Sequence, residues 1–237
     1  MNSSIYNISL PDLLWVMIPV AAVVVIYMRW TQDRVTIMYA LFRMLLQLML
    51  IGYVLIYIFA SDSPYLVVLV LSVMLVAASI IAMRPLQRQH RSNYLYAFAS
   101  IFIGGAITLF LVAFGVVELD PWYEPRFLIP IAGMIFANSM NAVSISAERF
   151  ENEILRESSY REARAISYKA ALIPIINALF AVGLVSLPGM MTGQILSGVD
   201  PLIAVRYQIM VMLMILGSGG ISVAIYLSFL KRNIQER

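Results

Sequence analysis

Residues 168–207 read YKAALIPIINALFAVGLVSLPGMMTGQILSGVDPLIAVRY, and this stretch decides how the chain is read. Two hydrophobic runs flank a Gly-, Met- and Pro-rich middle, Ser186 to Pro201, which carries no charge before Asp200. It is too irregular for a plain helix and too apolar for an ordinary loop. Gly189, Gly193 and Gly198 permit backbone conformations that other residues avoid. Beside a membrane span such backbone is tolerated only where protein or a water-filled cavity satisfies its polar groups. Residues 186–201 therefore predict a re-entrant turn or extracytoplasmic gate.

The whole composition fits that setting. Of the residues, 62% are hydrophobic and 12% charged, with a mean hydropathy of +0.87; soluble domains have roughly 45–50% apolar and about 25% charged residues. A water-soluble fold of this size could not hide that much apolar surface. With no Cys there is no disulfide framework and no thiolate metal site. The net charge of +3 matters less than where the Lys and Arg residues lie.

Seven apolar runs meet the length of about 17–25 residues that a spanning helix needs: Leu13–Trp30, Val35–Phe59, Tyr65–Met83, Tyr94–Val117, Phe127–Ile145, Ala170–Leu187 and Leu202–Leu230. Met1 to Asp12 lacks the basic n-region of a cleaved signal peptide, so the first run reads as a retained span. The expected fold is all-α: a polytopic membrane protein, residues 1–237 forming one membrane domain. Basic residues cluster after the odd-numbered spans: Arg29 and Arg34; Arg84, Arg88 and Arg91; Arg149 to Lys169; and Lys231, Arg232 and Arg237. The other side carries Arg126 among Asp12, Asp62, Glu118, Asp120, Glu124 and Asp200. The positive-inside rule then places the N-terminus outside and the C-terminus in the cytoplasm.

The longest charged connection is the cytoplasmic arm, residues 147–169 (AERFENEILRESSYREARAISYK). Phe150, Ile154, Ala163 and Ile166 fall at helical spacings, and Glu157 and Arg161 stand at i,i+4 in the favourable order. The arm reads either as a docking helix for a soluble partner or as a solvated connector that continues its flanking helices.

No G-x-x-x-x-G-K-[ST] motif is present, so a P-loop nucleotide site is excluded. No nucleophile–base pair or spaced His/Cys/carboxylate cluster suggests an enzyme. His90 stands alone in a polar loop without a second transition-metal ligand. Gly104-Gly105 and the Gly217 to Gly220 cluster read as helix-packing positions. Ionisable and amide groups inside the spans are costly and face bundle interiors, so they read either as structural groups, through interhelical hydrogen bonds, an ion pair or snorkelling, or as the candidate transport path. Arg43 and Gln47 share a face of the second span; Met134, Asn138 and Asn141 stack on the fifth, and Asn177 adds an amide to the sixth. Near the outer mouth, Met190, Met191 and Asp200 are the candidate metal ligands, with Gln194 offering a further oxygen. Asp200 before Pro201 also reads as a cap for the last helix, and any of the 15 Met can simply fill apolar space.

The runs VSLPGMMTGQILSGVDPLIAVRYQIMVM (185–212), IPIAGMIFANSMNAVSIS (129–146) and GYVLIYIF (52–59) resemble the FetB-type iron-export permease family, which includes plant aluminium-tolerance permeases. That resemblance implies a multi-pass permease of the cell membrane, the membrane subunit of an ABC transporter. It implies two permease chains working with a separate ATPase that binds ATP and Mg. This chain would itself bind no cofactor and no nucleic acid. The implied cargo is iron or another metal ion moved outward, with an organic or sugar-linked solute as the alternative; the residues alone also leave room for a channel or carrier without an ATPase. Arg156, Glu157, Arg161, Glu162 and Ala163 become the candidate coupling residues, although 156–163 (RESSYREA) departs from the family's usual Leu-Gly-Ala-Thr/Ser-Pro pattern before the Glu-Ala step.

Overall fold

The computed structural model describes residues 11–31, 33–61, 63–86 and 91–235, with side chains described to 231. His90, Arg88, Asp62 and Arg237 lie outside the described residues, as does the side chain of Arg232. The chain divides into two compact units, Met1–Ser61 and Asp62–Arg237.

The first unit holds α1 (Leu13–Trp30) and α2 (Val35–Phe59), matching the apolar runs residue for residue. Asp33 makes the corner between them. Its Oδ1 accepts from the backbone N–H groups of Val35 (3.1 Å) and Thr36 (3.0 Å), which the first turn of α2 would otherwise leave unpaired. Thr31 Oγ1 donates back to the Tyr27 carbonyl at 2.7 Å and closes α1.

The second unit contains α3 (Pro64–Ala82), α4 (Arg91–Phe110), α5 (Pro125–Leu155), α6 (Tyr160–Ala181), α7 (Gly189–Leu196) and α8 (Pro201–Gln235). A π-helical turn, Leu111–Val116, ends α4. The 31-residue α5 and 35-residue α8 form the centre, against which α3, α4 and α6 pack. The core between them is built from Ile101, Ile131, Ile135, Val143, Val223 and Tyr226, each at most 1% exposed. Small residues let the helices close up. A Cβ on Gly104 would collide with Ser222 Oγ, and would stand 3.0 Å from the Ser218 carbonyl oxygen and the Ser222 nitrogen. Gly105 meets Phe136, and Gly219 meets Ile175, in the same way. These are the contacts small residues provide where apolar helices pack without help from water. Gly217 differs: nothing lies within 4 Å of its Cβ position.

Seven helices among the described residues are long and apolar enough to cross a membrane. Many of their large apolar side chains face outward, among them Leu69, Phe102, Ile209 and Leu213. The remaining short helix, α7, has eight residues, about 12 Å at the helical rise, against a hydrocarbon core of about 30 Å.

The limits of α3, of α4 with its π-helical turn, and of α8 shift from the sequence reading by one to five residues, and two larger differences stand out. The sixth helix ends at Ala181 rather than Leu187, because Val182 turns extended (ψ 131°) and Gly183 adopts φ +83°. The irregular segment thus begins before Ser186, and its centre is the two-turn α7. The corner satisfies its own backbone: the N–H groups of Val185 and Ser186 reach the Ala181 carbonyl at 2.8 and 3.2 Å, and Gly183 N–H reaches that of Ser186 at 3.0 Å. Leu184 and Val185 stand 90% and 82% exposed at its tip, which suits an apolar medium. The other difference is the arm, where α5 and α6 run on past their apolar stretches and leave only four residues, 156–159, between them.

Candidate functional site

Two cavities line the groove that α6 and α8 form in the second unit. The first, about 150 Å³, is bounded by Asn138 and Asn141 of α5, Pro174 of α6 and Met212 of α8. Pro174 has no N–H for the carbonyl four residues earlier, so α6 loses a hydrogen bond beside this cavity. Asn138 Nδ2 donates to the Met134 carbonyl at 2.8 Å, one turn back on its own helix. The interhelical bond expected of a membrane asparagine is thus not what holds its amide nitrogen. Asn141 is exposed on the cavity wall.

The second cavity, about 340 Å³, lies between α6, α7 and α8 and is lined by Val182, Gly183, Leu187, Met191, Gln208 and Met212 among others. Met212 belongs to both cavities, so they adjoin along the groove. Gln208 and Met212 are four residues apart on α8 and share a face. Gln208 is 5% exposed, yet its Oε1 has no hydrogen-bond partner. An unpaired buried acceptor costs about 1–3 kcal/mol, so this amide calls for an explanation. Neither Gln208 nor Met212 was singled out from sequence. The available signal was that Gln208 is the last amide before Lys231 in an otherwise apolar run.

The structure scatters the remaining candidates. Of the three proposed metal ligands, Met191 alone lines the second cavity. Met190 packs on the hydrophobic core, and the Asp200 carboxylate caps α8, its Oδ1 accepting from Leu202 N–H at 2.8 Å. Gln194 Oε1 on α7 is buried and unpartnered. Asn177 is exposed on α6. Arg43, half-buried, and Gln47, exposed, belong to α2 of the first unit. Among the described residues no cluster of three or more His, Cys, Asp or Glu is placed to hold a metal.

The arm is built by capping and by one buried acid. Ser159 and Glu162 form a capping box at the start of α6: Glu162 N–H donates to Ser159 Oγ (3.3 Å), and Glu162 Oε2 accepts from Ser159 N–H (3.1 Å) and Oγ–H (2.8 Å). Glu157 has φ +63° in the turn, outside both helices, so the expected Glu157–Arg161 i,i+4 pair has no helix to sit on. The charge pairs run through Glu153 instead, buried at 5% exposure, with Arg149 at 2.7 Å and Arg156 at 3.7 Å. Ala163 is fully buried, Arg161 is exposed, and the Arg164 guanidinium lies 5.7 Å from the Tyr160 ring centre. Tyr160 packs edge-on to Phe150 and donates to the Leu227 carbonyl at 2.9 Å, fastening the arm to α8.

Residues 10–234 match the model of an uncharacterised protein family, UPF0014. The chain belongs to the UPF0014 family. It is 35% identical to the "Probable iron export permease protein FetB" of Escherichia coli, covering 98% of this chain and 94% of that protein. It is 33% identical to the UPF0014 membrane protein slr1647 of Synechocystis, over 94% of this chain and 92% of that one. "Protein ALUMINUM SENSITIVE 3" of Arabidopsis thaliana is also 33% identical, over 78% of this chain and 71% of its own length. No solved structure matches the chain. The UPF0014 match takes in both units, the paired cavities and the arm. With seven spanning-type helices and permease relatives, this UPF0014 chain is a multi-pass membrane protein.

Proposed function

We propose that this chain is the membrane subunit of an ABC transporter that exports a metal ion, iron first among the candidates. The observation that carries the reading is its similarity to the FetB permease along nearly the full length of both chains. The geometry supports it: adjoining cavities with amide groups lie between helices α5 to α8, and an arm of charged residues is tied to α8. ATP would be hydrolysed, with Mg, on a separate ATPase subunit that contacts the arm at the exposed Arg156, Glu157 and Arg161. Closure of that subunit would pull on α8 through Tyr160 and alter the groove. Two permease chains would assemble with two ATPase chains, the arms and C-termini in the cytoplasm as the basic residues suggest.

The test is ATP-dependent movement of iron in vesicles containing this chain, with and without its ATPase. Movement that needs both ATP and the partner supports the reading. An ATP-hydrolysing complex that moves no iron overturns the metal assignment while keeping the permease, and directs the search to organic solutes. Transport that survives loss of the ATPase overturns the ABC assignment.

A further inference from the structure

We propose that Gln208, Met191 and Met212 form a transit site for a soft metal cation of low charge. The inference rests on the metal-export reading and replaces the scattered set Met190, Met191 and Asp200 with residues that share one cavity. Gln208 Oε1 is buried, unpartnered and part of the cavity wall. Met212 lies one turn further along the same face of α8, and Met191 comes from α7 across the cavity. A thioether sulfur and an amide oxygen each offer a lone pair, so this cavity lining supplies three neutral donors to one cation. Thioethers favour soft ions such as copper(I) over hard ones.

Among the described residues the lining contains no charged side chain. A dication stripped of water in such a place would be held poorly, so the site binds a monovalent soft ion more readily than iron(II). Weak holding suits a pathway, where an ion must leave as easily as it enters. The site also has a built-in means of release, because α7 is bordered by corners at Gly183 (φ +83°) and Gly198 (φ +93°). Turning α7 about them withdraws Met191 while Gln208 and Met212 stay on α8. The adjoining Asn138/Asn141 cavity, reached past Met212, provides the next oxygen donors.

The experiment uses the full chain in lipid nanodiscs without oxygen, titrated with copper(I) alone and iron(II) alone against coloured chelators. Wild type should bind one cation per chain, copper(I) more tightly. Gln208→Leu, Met191→Leu and Met212→Leu, which conserve volume, should each weaken binding about tenfold without lowering the thermal midpoint, and Gln208→Leu should raise it by relieving the unpaired acceptor. Gln208→Glu should strengthen binding and favour iron(II), an effect that a purely structural role for the amide does not produce. No binding by wild type, or Leu variants that bind as wild type does, overturns the site. The same variants in the vesicle assay separate the two readings. Wild-type transport that all three Leu variants retain overturns the site and leaves metal export standing. An ATP-hydrolysing wild-type complex that moves neither ion overturns metal export and the transit role with it.

Discussion

The phenol of Tyr160 donates a hydrogen bond across 2.9 Å to the backbone carbonyl of Leu227, 67 residues away. It joins the first turn of α6 to the far part of α8, the helix that carries Gln208 and Met212. Tyr160→Phe keeps the ring against Phe150 and removes only the hydroxyl. The expected loss is about 1 kcal/mol of stability, read as a lower thermal midpoint in detergent. Under the transport reading, the same variant should hydrolyse ATP normally with its partner while moving less cargo per ATP. Equal coupling ratios for variant and wild type would remove Tyr160 from the transmission path.

Gly104 and Gly217 make opposite predictions for the same change. At Gly104 an added methyl meets Ser222 and the α8 backbone, so Gly104→Ala must push α4 and α8 apart, costing about 1–3 kcal/mol. At Gly217 the position is open within a helix, and Gly217→Ala should be neutral or stabilising by up to about 1 kcal/mol. Comparing thermal midpoints of the two variants checks the α4–α8 contact.

The Asp33 carboxylate is held below its ordinary value chiefly by the Thr36 backbone N–H, with the Thr36 side chain, the Val35 N–H and the Tyr27 hydroxyl adding to it. A carboxylate whose folded pKa is depressed stabilises the fold fully above its unfolded value, about 3.9 for Asp, and the benefit fades as pH falls through the folded value. Amide exchange at the start of α2 should therefore speed up in wild type as pH falls below about 4, after correction for intrinsic exchange rates. Asp33→Ala should show faster corrected exchange already at neutral pH and no such acid step.

Asn138 offers a cleaner probe of the first cavity than its burial suggests. Its Nδ2 is occupied by the Met134 carbonyl on its own helix, a bond that α5 does not need in order to fold. Asn138→Leu should leave the thermal midpoint within about 0.5 kcal/mol of wild type while lowering vesicle transport if the cavity is on the path. Unchanged transport at full expression would take Asn138 off it.

Much of this architecture was legible because hydropathy and helix length report the same constraint. The limits of α1 and α2 agree to the residue, and Pro64, Pro125 and Pro201 each open a helix where a missing N–H does no harm. The arm was harder to read because Glu148, Arg149 and Glu151 end the apolar pattern without ending the helix. The S-x-x-E capping signal at Ser159 to Glu162 was present in the sequence and marks the true start of α6. What spacing could not show was the direction of individual polar groups. The Asp200 cap on α8 was legible from Asp200-Pro201, but the Asn138 amide nitrogen turns to its own backbone and Gln208 Oε1 is left unpartnered in the groove. Each choice depends on which helix lies opposite, and that is a property of the packed unit.

The two corners that border α7 yield the last prediction. Gly183 and Gly198 hold φ of +83° and +93°, and nothing lies within 4 Å of a Cβ at either, so space is not what requires glycine. The backbone conformation is, since L-residues adopt it at a cost of about 1–2 kcal/mol. Gly183→Ala and Gly198→Ala should each lower the thermal midpoint by an amount of that order, whereas Gly193→Ala, inside α7 with open space and no positive φ, should not. If α7 turns about these corners during transport, the two corner variants should also slow cargo movement more than they lower the fraction folded. Corner variants that lose stability yet transport normally per folded molecule would show the corners to be static.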